Sequence, residues 1–88
     1  MKVAFKKSFL KSIERLRDKR LKTSILKAIS QVEAATEVQK ISSIKKLTGF
    51  STYYRIRIGD YRVGLHIADN VVTFVTVDHR RDIYKNFP

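Results

Sequence analysis

Arg55, Arg57, Arg62, Arg80 and Arg81 are the residues of this 88-residue chain whose type and spacing promise chemistry. A guanidinium is planar, permanently charged and carries its N–H donors in a fixed fork suited to the oxygens of a phosphate. Tyr54, Ile56 and Ile58 alternate with Tyr53, Arg55 and Arg57, which places the two arginines on the polar face of a strand. Gly59-Asp60 is a two-residue hairpin signal, after which Tyr61, Val63, Leu65 and Ile67 alternate against Arg62, Gly64 and His66. Pairing about that turn sets Ile58 opposite Tyr61, Arg57 opposite Arg62, Ile56 opposite Val63, Arg55 opposite Gly64, Tyr54 opposite Leu65 and Tyr53 opposite His66. Like charges placed directly opposite one another on a sheet cost up to about 1 kcal/mol. Either solvent and the nearby Asp78 or Asp82 offset the Arg57–Arg62 repulsion, or the face is kept for an anion. Gly64 sharpens the question, because a mid-strand glycine costs stability and marks either a close approach of ligand or backbone, or room for helix packing.

Groups able to move a proton near neutrality are fewer. His66 and His79 qualify by type, and Tyr84 qualifies if surrounding arginines stabilise its phenolate. Ile83, Tyr84 and Phe87 make the end of the chain apolar enough to fold back on the body, which brings Arg80 or Arg81 to the arginine face. Tyr84 reads as an anchor of that packing or as a proton-exchanging group, and His79 as a surface histidine at a strand end or as a base. Asp60 and Asp69 fall in turns, and Asp78 and Asp82 are expected to pair with arginines, so no metal cluster is expected. The absence of cysteine removes disulfides, thiol nucleophiles and cysteine-ligated zinc.

The whole chain adds a field to this local grip. Its formal charge is +11, with ten of the eleven lysines in the first fifty residues and five of the eight arginines after them. Lysine is a mobile, hydrated point charge, so the first half reads as an attractor of polyanions and the second as the part that holds them. Nucleic acid, a ribosome surface, an anionic membrane or an acidic protein would all answer to that field. The N-terminal stretch is interrupted by lysines and never builds a signal peptide or membrane span, so a cytoplasmic location is expected. With 43% hydrophobic residues, one proline and three glycines, residues 1–88 suffice for a single domain with a modest core.

The elements that must position the arginines follow from periodicity. Val3 to Lys6 reads as a short strand. Ser8 reads as a cap, and Phe9, Ile13 and Leu16 at helical spacing predict a first helix over roughly residues 8 to 17. Asp18, Lys19 and Arg20 interrupt the pattern, and Leu21, Ile25, Ala28, Ile29 and Val32 mark a second helix. The two form a hairpin packed on the sheet, with Lys11, Arg15, Lys22 and Lys27 turned to water. Between residues 37 and 49, Val38, Ile41, Ile44 and Leu47 recur every third residue, while Ser42 and Ser43 weaken a helix and Thr48-Gly49 closes the segment. Val71 to Val77 is apolar on both faces except for threonines, as in a central covered strand. A two-residue turn at Asp69-Asn70 puts Val72 and Phe74 in the core; a three-residue turn from Ala68 to Asn70 puts Val71 and Thr73 there instead.

The run Tyr54-Arg55-Ile56-Arg57-Ile58-Gly59-Asp60-Tyr61-Arg62-Val63, followed by His79-Arg80-Arg81-Asp82-Ile83-Tyr84 and preceded by Leu47-Thr48-Gly49, resembles the RelE and ParE toxin superfamily. The resemblance runs along nearly the whole chain. It implies an α+β fold: an N-terminal strand, a helical hairpin on an antiparallel sheet of about four strands, and a short helical or extended C-terminal tail. On the RelE side it implies a type II toxin that enters the ribosome, cleaves messenger RNA without cofactor or metal, and is silenced by a cognate antitoxin. On the ParE side it implies inhibition of DNA gyrase, and a catalytically inert RNA-binding module is a third reading. Matched to the RelE pattern, Arg62 and Arg80 take the two arginine positions and Tyr84 the tyrosine near the C-terminus, while the two lysine positions fall on Arg55 and Arg57. His79 joins these as a candidate catalytic group, and Lys45, Lys46, Tyr53, His66 and Arg81 as candidate RNA-binding residues. Arginine in place of lysine changes the chemistry, since a buried lysine can lose its proton and an arginine effectively cannot.

Overall fold

The computed structural model describes residues 1–88. Strand β1 (Lys2–Phe5) leads into helices α1 (Lys7–Arg15) and α2 (Lys19–Ala34), a 3₁₀ turn (Val38–Lys40), strands β2 (Ile44–Lys46), β3 (Tyr53–Ile58), β4 (Tyr61–Ala68) and β5 (Val71–His79), and helix α3 (Ile83–Asn86). The strands form one sheet in the order β1-β5-β4-β3-β2. No helix is long and apolar enough to cross a membrane.

The helical hairpin carries the chain from one edge of the sheet to the other. Four antiparallel strands then step back until β5 meets β1, and that last pair is parallel. The sheet therefore has five strands rather than about four, and it is mixed at one edge. The extra strand, β2, lies in the segment with a three-residue period. Val38–Lys40 takes up that period as a 3₁₀ turn, whose repeat is three residues. Ser43 then turns the chain at a φ of 61°, and Ile44–Lys46 pairs with β3. The lysines of both edge strands discourage pairing with a further chain.

Phe9, Leu21, Ile25 and Val32 from the helices meet Ile56, Val63, Leu65, Val72 and Phe74 from the sheet in the main core. Phe5, Phe9 and Phe74 lie with ring centroids 5.3–5.6 Å apart and tie β1, α1 and β5 together. Asp18 does more than interrupt the pattern. Its carboxylate accepts from the backbone N–H groups of Arg20 at 2.9 Å and Leu21 at 3.2 Å, so it caps α2 and lets the helix begin at Lys19. Ser8 is not a cap; Lys6 holds that position, and the Ser8 hydroxyl inside the first turn donates to the Val75 carbonyl. Lys22 is half-buried rather than turned to water, its stem lying beside Phe9, Ile25 and Leu26.

The β4–β5 connection is the two-residue turn, with Asp69 and Asn70 both at positive φ and Ala68 opposite Val71. Val72 and Phe74 are fully buried as that register requires. A bulge follows, in which Gly64 pairs with Thr76 and Leu65 with Phe74, leaving Val75 as the extra residue. Beyond it the faces of β5 exchange. Val77 enters the core opposite Val63, and Asp78 stands opposite Arg62 instead of being driven under the helices.

Candidate functional site

The β3–β4 hairpin pairs in the register set by Gly59-Asp60, with Arg57 opposite Arg62, Arg55 opposite Gly64 and Tyr53 opposite His66. Its apolar face, Ile56, Val63 and Leu65, is sealed under the helices, so Arg55, Arg57 and Arg62 share the other face. Strand β2 extends that face, because Lys45 pairs directly with Arg55, while Lys46 pairs with Tyr54 of the helix-side face. Three cations from β2 and β3 and one from β4 thus crowd one side of the sheet.

The carboxylates do not answer them. The chain's one ion pair within 4.0 Å joins Lys85 to Asp82 at 3.7 Å. Asp78, though opposite Arg62, accepts from the Thr76 hydroxyl at 2.9 Å. The expectation that Asp78 or Asp82 pairs with the arginines is therefore corrected, and the repulsion is met by no internal anion. No group of three His, Asp or Glu side chains converges as a metal site would require.

Arg62 is the electrostatic centre of the face. Its guanidinium is held below the ordinary arginine pKa, first by burial, then by the charges of Arg55 and Arg57 and, less strongly, Arg80; Tyr84 acts in the opposite sense. Its Nη1 donates to the carbonyls of Gly59 and Tyr61, each at 2.9 Å, which fixes the fork against the β3–β4 turn. Arg80 is brought near by its backbone N–H, which donates to the Asp60 carbonyl at 2.8 Å.

The C-terminal segment completes the site. Ile83 and Phe87 are buried with Leu47, against Tyr53 and Val75, in a second apolar cluster on the arginine side of the sheet. These two residues anchor the tail, and Tyr84 does not: it is 61% exposed. Tyr84 instead lines a cleft of about 520 Å³ together with Lys45, Lys46, Arg55, Phe50 and Phe87. That volume is ordinary for a small-ligand site.

Gly64 has a definite partner. A β-carbon there would lie 2.9 Å from two ring atoms of Phe87, so the glycine makes room for the tail, not for a helix. Gly64→Ala is expected to displace Phe87 and loosen the segment that carries Tyr84. A loss of about 1–3 kcal/mol in denaturant unfolding is the scale of such overpacking. An unchanged midpoint would show that the ring shifts freely.

His79 is set apart from the arginines. It pairs with Tyr61 on the helix side of the sheet, their rings meeting edge to face at 5.5 Å, and its Nδ1 accepts from the backbone and side-chain nitrogens of Arg81. Arg81 is thereby turned toward His79 and is not among the cleft residues. Tyr53 and His66 do lie on the arginine face, 5.1 Å apart, and Tyr53 also contacts Phe50 and Phe87. Lys45 and Lys46 join the cleft because β2 exists, a strand that the sequence periodicity hides. Phe50 and Phe87 enter the site without any sequence motif, and their only signal is the placement of apolar rings beside Leu47-Thr48-Gly49 and at the chain end.

A mixed sheet backed by a helical hairpin, with an unpaired arginine cluster under a C-terminal tyrosine, defines the class of small basic toxins that the sequence resembles. Residues 3–84 match the family described as the ParE toxin of type II toxin–antitoxin systems, parDE, and the chain belongs to that superfamily, on its RelE-like branch. It is 34% identical over the full length of both chains to Toxin RelE3 of Methanocaldococcus jannaschii. Among solved structures it is similar to the toxin of the RelB-RelE antitoxin-toxin complex from Methanococcus jannaschii, with a TM-score of 0.82, 30% identity, and coverage of 97% of this chain and 99% of that one. The archaeal RelE-RelB complex from Pyrococcus horikoshii follows, with a TM-score of 0.72, 25% identity, and coverage of 90% and 93%.

Proposed function

We propose that this toxin is a cytoplasmic endoribonuclease that cuts messenger RNA on the ribosome and is held inactive by a cognate antitoxin protein. The observation that carries the reading is the cluster of Arg55, Arg57, Arg62 and Arg80, which no carboxylate neutralises and beside which Tyr84 stands exposed in a cleft. The antitoxin follows from the relatives, two of which are described as complexes with RelB.

The chemistry that suits these groups is internal transesterification. The 2′-oxygen bonds to the adjacent phosphorus, the bond from phosphorus to the 5′-oxygen breaks, and the products are a 2′,3′-cyclic phosphate and a 5′-hydroxyl. One proton leaves the 2′-hydroxyl and one reaches the 5′-oxygen. Arg62, with Arg55, Arg57 and Arg80 around it, holds the charge that builds on the phosphate oxygens; a preorganised donor of this kind contributes about 3–4 kcal/mol in a water-excluded site. Tyr84 delivers the proton to the departing 5′-oxygen. Lys45, opposite Arg55 in the same cleft, adds an ammonium to the charge that holds the phosphate, and the proton released by the 2′-hydroxyl passes to water. A site with so few bases relies on positioning, which accounts for the role given to the ribosome.

Expression of the chain without its antitoxin is expected to stop translation and leave messages cut within their coding regions, visible as new transcript ends. The matched family also contains gyrase inhibitors of the ParE kind, whose signature would be lost plasmid supercoiling and DNA damage with intact messages. That second pattern would overturn the ribonuclease reading.

A further inference from the structure

Phe50 is apolar, yet it is 46% exposed at the tip of the β2–β3 loop and forms part of the cleft wall. The loop that carries it is well defined. The Leu47 N–H donates to the Tyr53 carbonyl at 2.9 Å, the Phe50 N–H donates to the Leu47 carbonyl at 3.3 Å, and Gly49 takes the left-handed conformation at a φ of 85°. The ring of Phe50 meets that of Tyr53 edge to face, with centroids 5.8 Å apart and planes at 89°. Tyr53 is itself fixed between His66 at 5.1 Å and the buried Phe87 at 5.4 Å. Phe50 is thus braced from behind by an aromatic row and left uncovered at the cleft.

The same cleft presents Lys45, Lys46 and Arg55. A wall of cations beside an exposed, supported aromatic ring matches a ligand that joins a phosphate to a planar apolar ring. An unpaired nucleotide is such a ligand, and single-stranded RNA is recognised by stacking its splayed bases on aromatic side chains. We propose that Phe50 is the platform on which one unpaired base of the RNA stacks, positioning the adjacent phosphate for the arginines. The inference deepens the ribonuclease reading and rests on it. Phe50 is a positioning residue, and because every base has a π-face its contact is tolerant of sequence.

The chain contains no tryptophan, which makes the test direct. A short 2′-O-methyl oligoadenylate, which cannot be cut, is compared with the same backbone stripped of its bases. The wild-type chain is expected to bind the intact oligomer about tenfold more tightly, toward the low end of what base–aromatic stacking supplies. Phe50→Ala should bind the intact oligomer about tenfold more weakly while leaving the baseless backbone unaffected. Phe50→Trp should keep the preference, and its lone tryptophan should be quenched by the intact oligomer but not by the baseless one. Equal binding of both oligomers by the wild type, unaltered binding by Phe50→Ala, or unchanged tryptophan emission would each overturn the platform. Equal binding is also what a Phe50 reserved for a protein partner would give. The two readings fail separately: a missing base preference with messages still cut removes the platform alone, whereas intact messages with the preference present remove the ribonuclease.

Discussion

Arg62→Gln is expected to slow RNA cleavage about 10²–10³-fold, the loss seen when one preorganised donor to a developing oxyanion is removed. The magnitude follows from its position at the centre of the cluster. Nη1 is committed to the Gly59 and Tyr61 carbonyls, so the fork is fixed before RNA arrives and Nε and Nη2 keep their hydrogens for a phosphate. The same variant should melt close to the wild type, because two effects oppose each other. Two backbone hydrogen bonds to a charged donor are lost, but so is a charge that the folded state disfavours. A guanidinium whose pKa is lowered by burial and like charges binds its proton less tightly folded than unfolded, so the charge it carries weakens the fold. Arg62→Lys keeps the charge without the fork and should recover only a small part of the rate. Single-turnover cleavage beside a thermal melt checks both statements. A large rate loss accompanied by unfolding would instead make Arg62 a structural residue.

Tyr84→Phe is the second large effect, an expected loss of about 10²-fold or more, within the range of general acid catalysis. The fold should not notice. Ile83 and Phe87 anchor the tail, and Tyr84 is mostly exposed, so stability should change by less than about 0.5 kcal/mol. Replacing the bridging 5′-oxygen of the substrate by sulfur separates proton transfer from mere contact, because a thiolate leaves without needing a proton. With that substrate Tyr84→Phe should regain most of its rate and Arg62→Gln should not. Equal rates for Tyr84→Phe and wild type on the ordinary substrate would remove Tyr84 from the chemistry.

The hairpin that holds the arginines was legible because its signals are local. A Gly-Asp turn and strict alternation fix which residues face each other, and the observed pairs are those the turn implies. The second helix was legible from its apolar stripe for the same reason. What escaped is determined by distant partners. Strand β2 is three residues long, without alternation of its own, and exists because β3 offers an edge. The purpose of Gly64 depends on Phe87, far along the chain. The face of His79 depends on the bulge at Val75, since one extra residue carries every later side chain of β5 to the opposite side. Without it His79 would lie among the arginines, where alternation alone allows it. The unanswered charge of the cluster was legible as a question, and the pairing of Asp78 with Thr76 leaves it open to an anion from outside.

The most direct test is to incubate the purified chain, freed of any antitoxin, with ribosomes programmed with a defined message and to identify the chemical ends of the product. Cuts in the ribosome-bound codon bearing a 2′,3′-cyclic phosphate on one fragment and a 5′-hydroxyl on the other are the predicted result, lost on Arg62→Gln and Tyr84→Phe. An intact message, or fragments carrying a 5′-phosphate and a 3′-hydroxyl, would contradict the account.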